Sequence, residues 1–142
     1  MRRGFSLVDV TVSISVLSFI VYITSTSLLT LVPKYTLQKA VWEIQSRLYS
    51  ARFTALFRSE KVRVRFTPGS YAVDRYNELR KEWEIEERHV LDGVLVEANN
   101  SPCFHPNGAV SNLASISIWN SWGKYKITVA ITGRVKTVRV IN

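Results

Sequence analysis

Cys103 and His105, two residues apart, are the side chains best placed to bind a metal or activate a nucleophile. Zinc sites close with three or four such ligands, and no second pair accompanies these two. His89 is the only other histidine, and Cys103 is the only cysteine, so no intramolecular disulfide can form. A lone thiol of this kind is expected as a small buried apolar residue rather than a reactive one. The carboxylates Glu84, Glu86 and Glu87 could form an acid–base pair, but Glu84 and Glu86 also fit the wet face of a strand whose other face buries Trp83 and Ile85. There is no His-Glu-x-x-His, no phosphate-cradling glycine loop and no Gly-x-Ser-x-Gly. The sequence therefore points away from an enzyme and implies no metal, no cofactor and no small-molecule substrate.

The basic residues pose a sharper question. The chain has 142 residues and a formal charge of +8. Seventeen of its basic residues and ten of its acidic ones lie beyond Val32, a balance of +7. Such a field favours anionic partners, whether nucleic acid, phospholipid headgroups or an acidic protein surface. Lys124, Lys126, Arg134, Lys136 and Arg139 are close in sequence, and Arg134 and Lys136, two apart, would point the same way on a strand. Together they could neutralise phosphates, with Trp122 and Tyr125 available to stack on bases. The plainer reading is a solvated strand face or a contact within a larger assembly.

One charge stands apart from all others. Asp9 lies in the stretch from Met1 to Val32, where the only other charges are Arg2 and Arg3. The apolar run that follows exceeds the roughly 20 residues a helix needs to cross a bilayer. Arg2 and Arg3 favour a cytoplasmic N-terminus and an outward-facing body. A secretory signal cut near Ser25 to Ser27 is the alternative, although the run is longer than the usual apolar region of such signals. A carboxylate within a membrane is costly unless paired, which marks Asp9 as functional; snorkelling toward the headgroups is the competing account. Thr11, Ser15, Ser18, Tyr22 and Ser25 share one helical face and suggest a surface for packing against other helices. Each hydroxyl could instead bond a carbonyl one turn back.

These residues need elements to position them. The helical period continues from Pro33 to Phe57, with Leu37, Val41, Ile44, Leu48, Ala51 and Ala55 on one face. Trp42, Tyr49 and Phe53 widen that stripe, predicting that it lies on a sheet or on neighbouring subunits. One long helix is expected, weakest around residues 24 to 33. Beyond Ser59 the period becomes two. Lys61 to Phe66 and Tyr71 to Val73 form a hairpin about Thr67-Pro68-Gly69-Ser70, and strands follow at residues 83–86 and 94–96. Residues 99–112 read as a loop. Ile116 and Ile118 pair with Tyr125, Ile127, Val129 and Ile131 in a last hairpin, and residues 135–141 offer a further strand. One long helix followed by antiparallel strands is an α+β roll.

Arg2-Arg3-Gly4-Phe5-Ser6-Leu7-Val8-Asp9, followed directly by the apolar run, resembles the leader of type IV pilins and type II secretion pseudopilins. The resemblance implies that a prepilin peptidase cuts after Gly4 and methylates Phe5. It also implies that the acid four residues further on, usually glutamate and here Asp9, pairs with an N-terminal amine in the assembling filament. Cys103-Phe104-His105-Pro106-Asn107-Gly108-Ala109, with Gly133-Arg134-Val135 after a strand, is similar to the GspH/FimT-type minor pseudopilins. The implied fold is pilin-like, a long helix packed on an antiparallel sheet. The implied organisation is a leader at 1–4, a transmembrane and assembly helix at 5–32, and an extracytoplasmic domain at 33–142, with helix at 33–58 and strands over 60–142. The implied protein is a structural subunit of a type II secretion or type IV pilus-like filament. It would be held in a bacterial inner membrane by one pass, N-terminus cytoplasmic, and join other pilins through Asp9, Thr11, Ser15 and Ser18. Some FimT-like minor pilins bind DNA during natural transformation through a C-terminal Gly-Arg-x-Arg. Gly133-Arg134-Val135-Lys136 resembles that element with lysine in the last place, so DNA is the alternative partner.

Overall fold

The computed structural model describes residues 6–140, and the side chains among them except those of residues 26–30. The chain divides into two units, one ending at Val32 and one beginning at Pro33. Among the described residues a single helix, α1 (Leu7–Arg58), is followed by nine strands. The low helix propensity of Ser and Thr does not interrupt α1, and Pro33 lies inside it. Thr24 and Ser25 donate their hydroxyls to the carbonyls of Ile20 and Val21, both at 2.8 Å, so these side chains are satisfied without leaving the helix.

In the second unit, β1 (Val62–Thr67), β2 (Ser70–Asn77), β3 (Glu82–Val90), β5 (Cys103–Phe104) and β6 (Val110–Ser111) form one sheet in the order β3-β2-β1-β5-β6. A second sheet runs β4 (Leu95–Ala98), β7 (Ser115–Asn120), β8 (Gly123–Val129) and β9 (Val135–Val140). All pairings are antiparallel. Pairing of Thr67 with Ser70 leaves a two-residue loop of Pro68 and Gly69, the latter at φ 72°. The region expected as a loop at 99–112 carries the short strands β5 and β6. Ile131, expected in the last hairpin, lies past the end of β8 and is exposed.

The core joins α1 to both sheets. Leu37, Val41, Ile44, Leu48, Ala51 and Ala55 are buried, as the helical period predicts. They pack with Val62, Val64, Tyr71 and Phe104 of the first sheet and Ile116, Ile118, Ile127 and Val129 of the second. Trp42, Tyr49 and Phe53 are 73%, 51% and 66% exposed, so they do not lie on the sheets. Tyr35, Trp42, Tyr49 and Leu56 recur every seven residues, a stripe turned away from the core.

The strand at 83–86 departs from the expected faces at Ile85, while Glu86 is exposed as expected. Ile85 is 59% exposed and Trp83 only partly buried. A bulge between Val73 and Asp74 places an extra residue, Glu86, in β3. Trp83 and Ile85 stand opposite Tyr76 and Asp74 on the outer face. Glu86 and Glu87 reach α1, where Arg47 Nη1 meets Glu87 Oε2 at 2.7 Å and Arg58 Nη1 meets Glu86 Oε1 at 3.2 Å, while Glu84 accepts from Asn77 Nδ2 at 2.8 Å. Glu86 and Glu87 nonetheless stay exposed, so these pairs lie in solvent at the edge of the sheet.

Candidate assembly and anion-binding surfaces

Gly4 and Phe5 lie outside the described residues. At the start of α1, the Ser6 N–H donates to Asp9 Oδ2 at 3.4 Å, and the Val8 N–H donates to Ser6 Oγ at 3.4 Å. This reciprocal arrangement has the spacing of a capping box, Ser-x-x-Asp, which satisfies donors that a helix N-terminus leaves open. Ser6 and Asp9, three apart ahead of the apolar run, are the signal in the sequence for this cap. Asp9 also sits where a carboxylate is favoured by the helix dipole.

Thr11, Ser15, Ser18 and Ser25 each donate to a backbone carbonyl of the preceding turn, at 2.8–2.9 Å. With their protons used internally, these hydroxyls act at a helix interface mainly through small size and their remaining lone pairs. The segment Leu7–Ser25 has a mean hydropathy of 2.0, and none of it is buried within the chain.

The basic residues near the C-terminus divide between two faces of the second sheet. Cross-strand register places Trp119 beside Lys124, Ser117 beside Lys126, and Thr128 beside Lys136. Lys124, Lys126 and Lys136 thus share the outer face, all exposed. Arg139 pairs with Tyr125 on the opposite face, where its guanidinium carbon lies 4.2 Å from the centroid of the Trp122 ring. Arg134 precedes β9, in the turn after β8, where its carbonyl accepts the Ala130 N–H at 2.9 Å. Trp122 and Tyr125, the expected stacking residues, pack against the core. Trp119 is the aromatic on the lysine face, with Lys124 Nζ 5.3 Å from its ring centroid.

Two glycines of the C-terminal motifs meet the same helix side chain. Gly133 has φ +77°, and a Cβ built there would lie 2.6 Å from Arg52 Nε. Gly108 has φ +81°, and its Cβ would lie 3.9 Å from Arg52 Nη2 and 3.4 Å from Leu56 Cδ2. Arg52 Nη1 donates to the Gly133 carbonyl at 3.5 Å, while its buried Nε has no hydrogen-bond partner among the described residues. At Gly133 a side chain would collide with Arg52, whereas at Gly108 a Cβ would make ordinary contacts and only the positive φ favours glycine.

The first sheet holds a buried ion cluster. Asp74, 1% exposed, accepts from Arg63 Nη2 at 2.7 Å and Nε at 3.1 Å, and from Arg65 Nη2 at 3.2 Å. Arg63 also stacks 4.3 Å from the Trp83 ring centroid. Nearby, Cys103 is buried and its thiol is pushed up chiefly by that burial, against the lowering effects of a Ser111 hydrogen bond and of Arg63 and Lys61. Tyr71 Oη donates to Glu43 Oε1 at 2.8 Å. Burial first, and then Glu43, pushes the Tyr71 phenol up to about 12. Among the described residues no three of His, Cys, Asp and Glu come together as a metal site.

A membrane-length apolar helix leading into a domain of one amphipathic helix and antiparallel sheets defines the pilin-like fold. No family model matches the chain, and no curated protein matches it in sequence. Two solved structures of the minor pseudopilin EpsH from the type II secretion system of Vibrio cholerae are similar to it. Their TM-scores are 0.63 and 0.64, each at 12% identity, over 72% and 74% of this chain and 96% and 94% of theirs. The type IV minor pilin FimU of Pseudomonas aeruginosa superposes with a TM-score of 0.59 at 13% identity, over 72% of this chain and 88% of that one. The fold is therefore that of the minor pseudopilins and minor pilins expected from the GspH/FimT-like motifs.

Proposed function

We propose that the chain is a non-enzymatic minor pilin-like subunit, held in a bacterial inner membrane by its N-terminal helix and assembled through that helix into a type II secretion pseudopilus or a type IV pilus-like filament. One observation carries the reading: a helix apolar enough to span a membrane, with no part of Leu7–Ser25 buried by its own chain, leads into a pilin-like domain. Such a surface requires lipid or other helices to cover it. Prepilin peptidase would process the chain between Gly4 and Phe5. Cleavage there would free an amine close to Asp9 and remove the charged leader, turning an anchor into an assembly element. Asp9 would then contribute to packing by pairing with the amine of a neighbour, and Thr11, Ser15 and Ser18 would allow close helix approach. The exposed stripe of Tyr35, Trp42 and Tyr49 offers a further surface to neighbouring subunits.

Asp9→Ala is expected to leave the chain inserted in membranes but to abolish its recovery in sheared filament fractions. Asp9→Glu should retain assembly, because it keeps the charge. Normal assembly of Asp9→Ala would remove the pairing role and leave snorkelling or capping as the account of this acid.

The DNA-uptake reading is favoured by one specific feature, the alignment of Lys124, Lys126 and Lys136 with Trp119 on a single exposed face. It predicts that the full chain in detergent retards labelled duplex DNA at low salt. Lys126→Ala with Lys136→Ala should weaken binding and reduce its salt dependence by about two units of log–log slope. No retardation at about 50 mM salt, where phosphate contacts are strong, would exclude this reading.

A further inference from the structure

We propose that the turn between β7 and β8, with the aromatic and cationic side chains around it, docks on anionic phospholipid headgroups at the outward surface of the membrane. The inference rests on the reading of the N-terminal helix as a membrane span. From Leu7 to Val32 the helix advances about 39 Å, against about 30 Å of hydrocarbon and 40–45 Å of bilayer including headgroups. Chain length alone therefore brings Pro33 and Lys34 to the level of the headgroups. Asn120 Nδ2 donates to the Pro33 carbonyl at 2.7 Å, which ties the β7–β8 turn to that point of the chain.

The turn carries the residues that such a position calls for. Trp119 and Trp122 flank it, and each ring is paired with cations. Lys124 Nζ lies 5.3 Å from the Trp119 centroid, Arg139 Cζ lies 4.2 Å from that of Trp122, and Lys34 Nζ lies 5.7 Å from the same ring. The cleft between them is lined by Trp119, Trp122, Lys124 and Arg139 among others, and among the described residues no acidic side chain lines it. Tryptophan concentrates at membrane interfaces because its ring is apolar and its N–H polar, and clustered Lys and Arg are attracted to anionic headgroups. Arg139 can grip a phosphate through two parallel bonds while its face stays on Trp122. A duplex fits this spot less well, since the regular cationic row lies along the Lys124, Lys126 and Lys136 face.

The test uses the full chain in lipid nanodiscs with nitroxide-labelled headgroups. Single-tryptophan forms retain Trp119, Trp122 or Trp83, with the other three replaced by phenylalanine. Trp83 serves as the control because it lies in β3, the strand that also carries Glu86, which pairs with Arg58 at the far end of α1. Emission from Trp119 and Trp122 should be quenched, more strongly with phosphatidylglycerol present than in phosphatidylcholine alone, and that from Trp83 should not. Lys124→Glu with Arg139→Glu should erase the dependence on phosphatidylglycerol. Quenching no greater than that of Trp83, in a chain retained by the discs, would overturn the proposal and leave the span intact. A chain not retained by the discs would overturn the span and this docking together. Unchanged quenching in the Lys124→Glu, Arg139→Glu form, accompanied by loss of duplex binding, would assign the turn to nucleic acid and also overturn it.

Discussion

Gly133→Ala should destabilise the domain by roughly 2–3 kcal/mol and lower its Tm by about 10 °C or more, measured by thermal unfolding of the full chain in detergent. Two costs combine. At φ +77° any L side chain is strained, which accounts for about 1–2 kcal/mol. The added methyl would also lie 2.6, 2.8 and 2.9 Å from Arg52 Nε, Cζ and Cδ, so the guanidinium must leave its place under the turn. Gly69→Ala supplies the control, because Gly69 has φ +72° but nothing within 4 Å of the added carbon. It should show the conformational cost alone. Arg52→Ala, introduced into the Gly133→Ala chain, should recover the steric part. Equal losses for Gly133→Ala and Gly69→Ala would show that Arg52 does not fix this turn.

Asp74→Ala is expected to cost about 2–3 kcal/mol in the same measurement, toward the low end for breaking a buried ion pair. The carboxylate is 1% exposed, but the arginines it binds are 26% and 44% exposed at the side chain and can turn to water once it is gone. Arg65→Ala should cost less than about 1 kcal/mol, since its single bond to Asp74 is 3.2 Å long and half in solvent. Arg63→Ala should cost more than Arg65→Ala, because Arg63 makes two bonds to Asp74 and also covers Trp83. An Asp74→Ala loss under about 0.5 kcal/mol would mean that the cluster stabilises nothing beyond its own desolvation.

The helix and its buried face were legible because each rests on a local period. Leu37, Val41, Ile44, Leu48, Ala51 and Ala55 repeat at helical spacing, and all are buried. The Arg63–Asp74 pair was also within reach. A two-residue Pro68-Gly69 loop sets Thr67 against Ser70, and counting back from it sets Arg63 against Asp74. The faces of β3 were not legible. They depend on a bulge between Val73 and Asp74, and no local pattern in residues 82–90 announces an extra residue on one strand. Strand alternation already separates Arg139 from Lys136, three residues away. What the sequence could not show is that Arg134 lies in the turn before β9 rather than on the strand beside Lys136. The glycines of the Gly108 and Gly133 motifs carry a resemblance in the sequence, and at Gly133 the physical reason is the close approach of Arg52, which no local pattern shows.

Mass spectrometry of the chain purified from membranes of a host that carries a prepilin peptidase bears most directly on the assignment as a pilin-like subunit. The account predicts a mature chain beginning at Phe5, with residues 1–4 removed and a methyl group on the new N-terminal nitrogen. A chain that retains Met1, or one cut near Ser27, would contradict it.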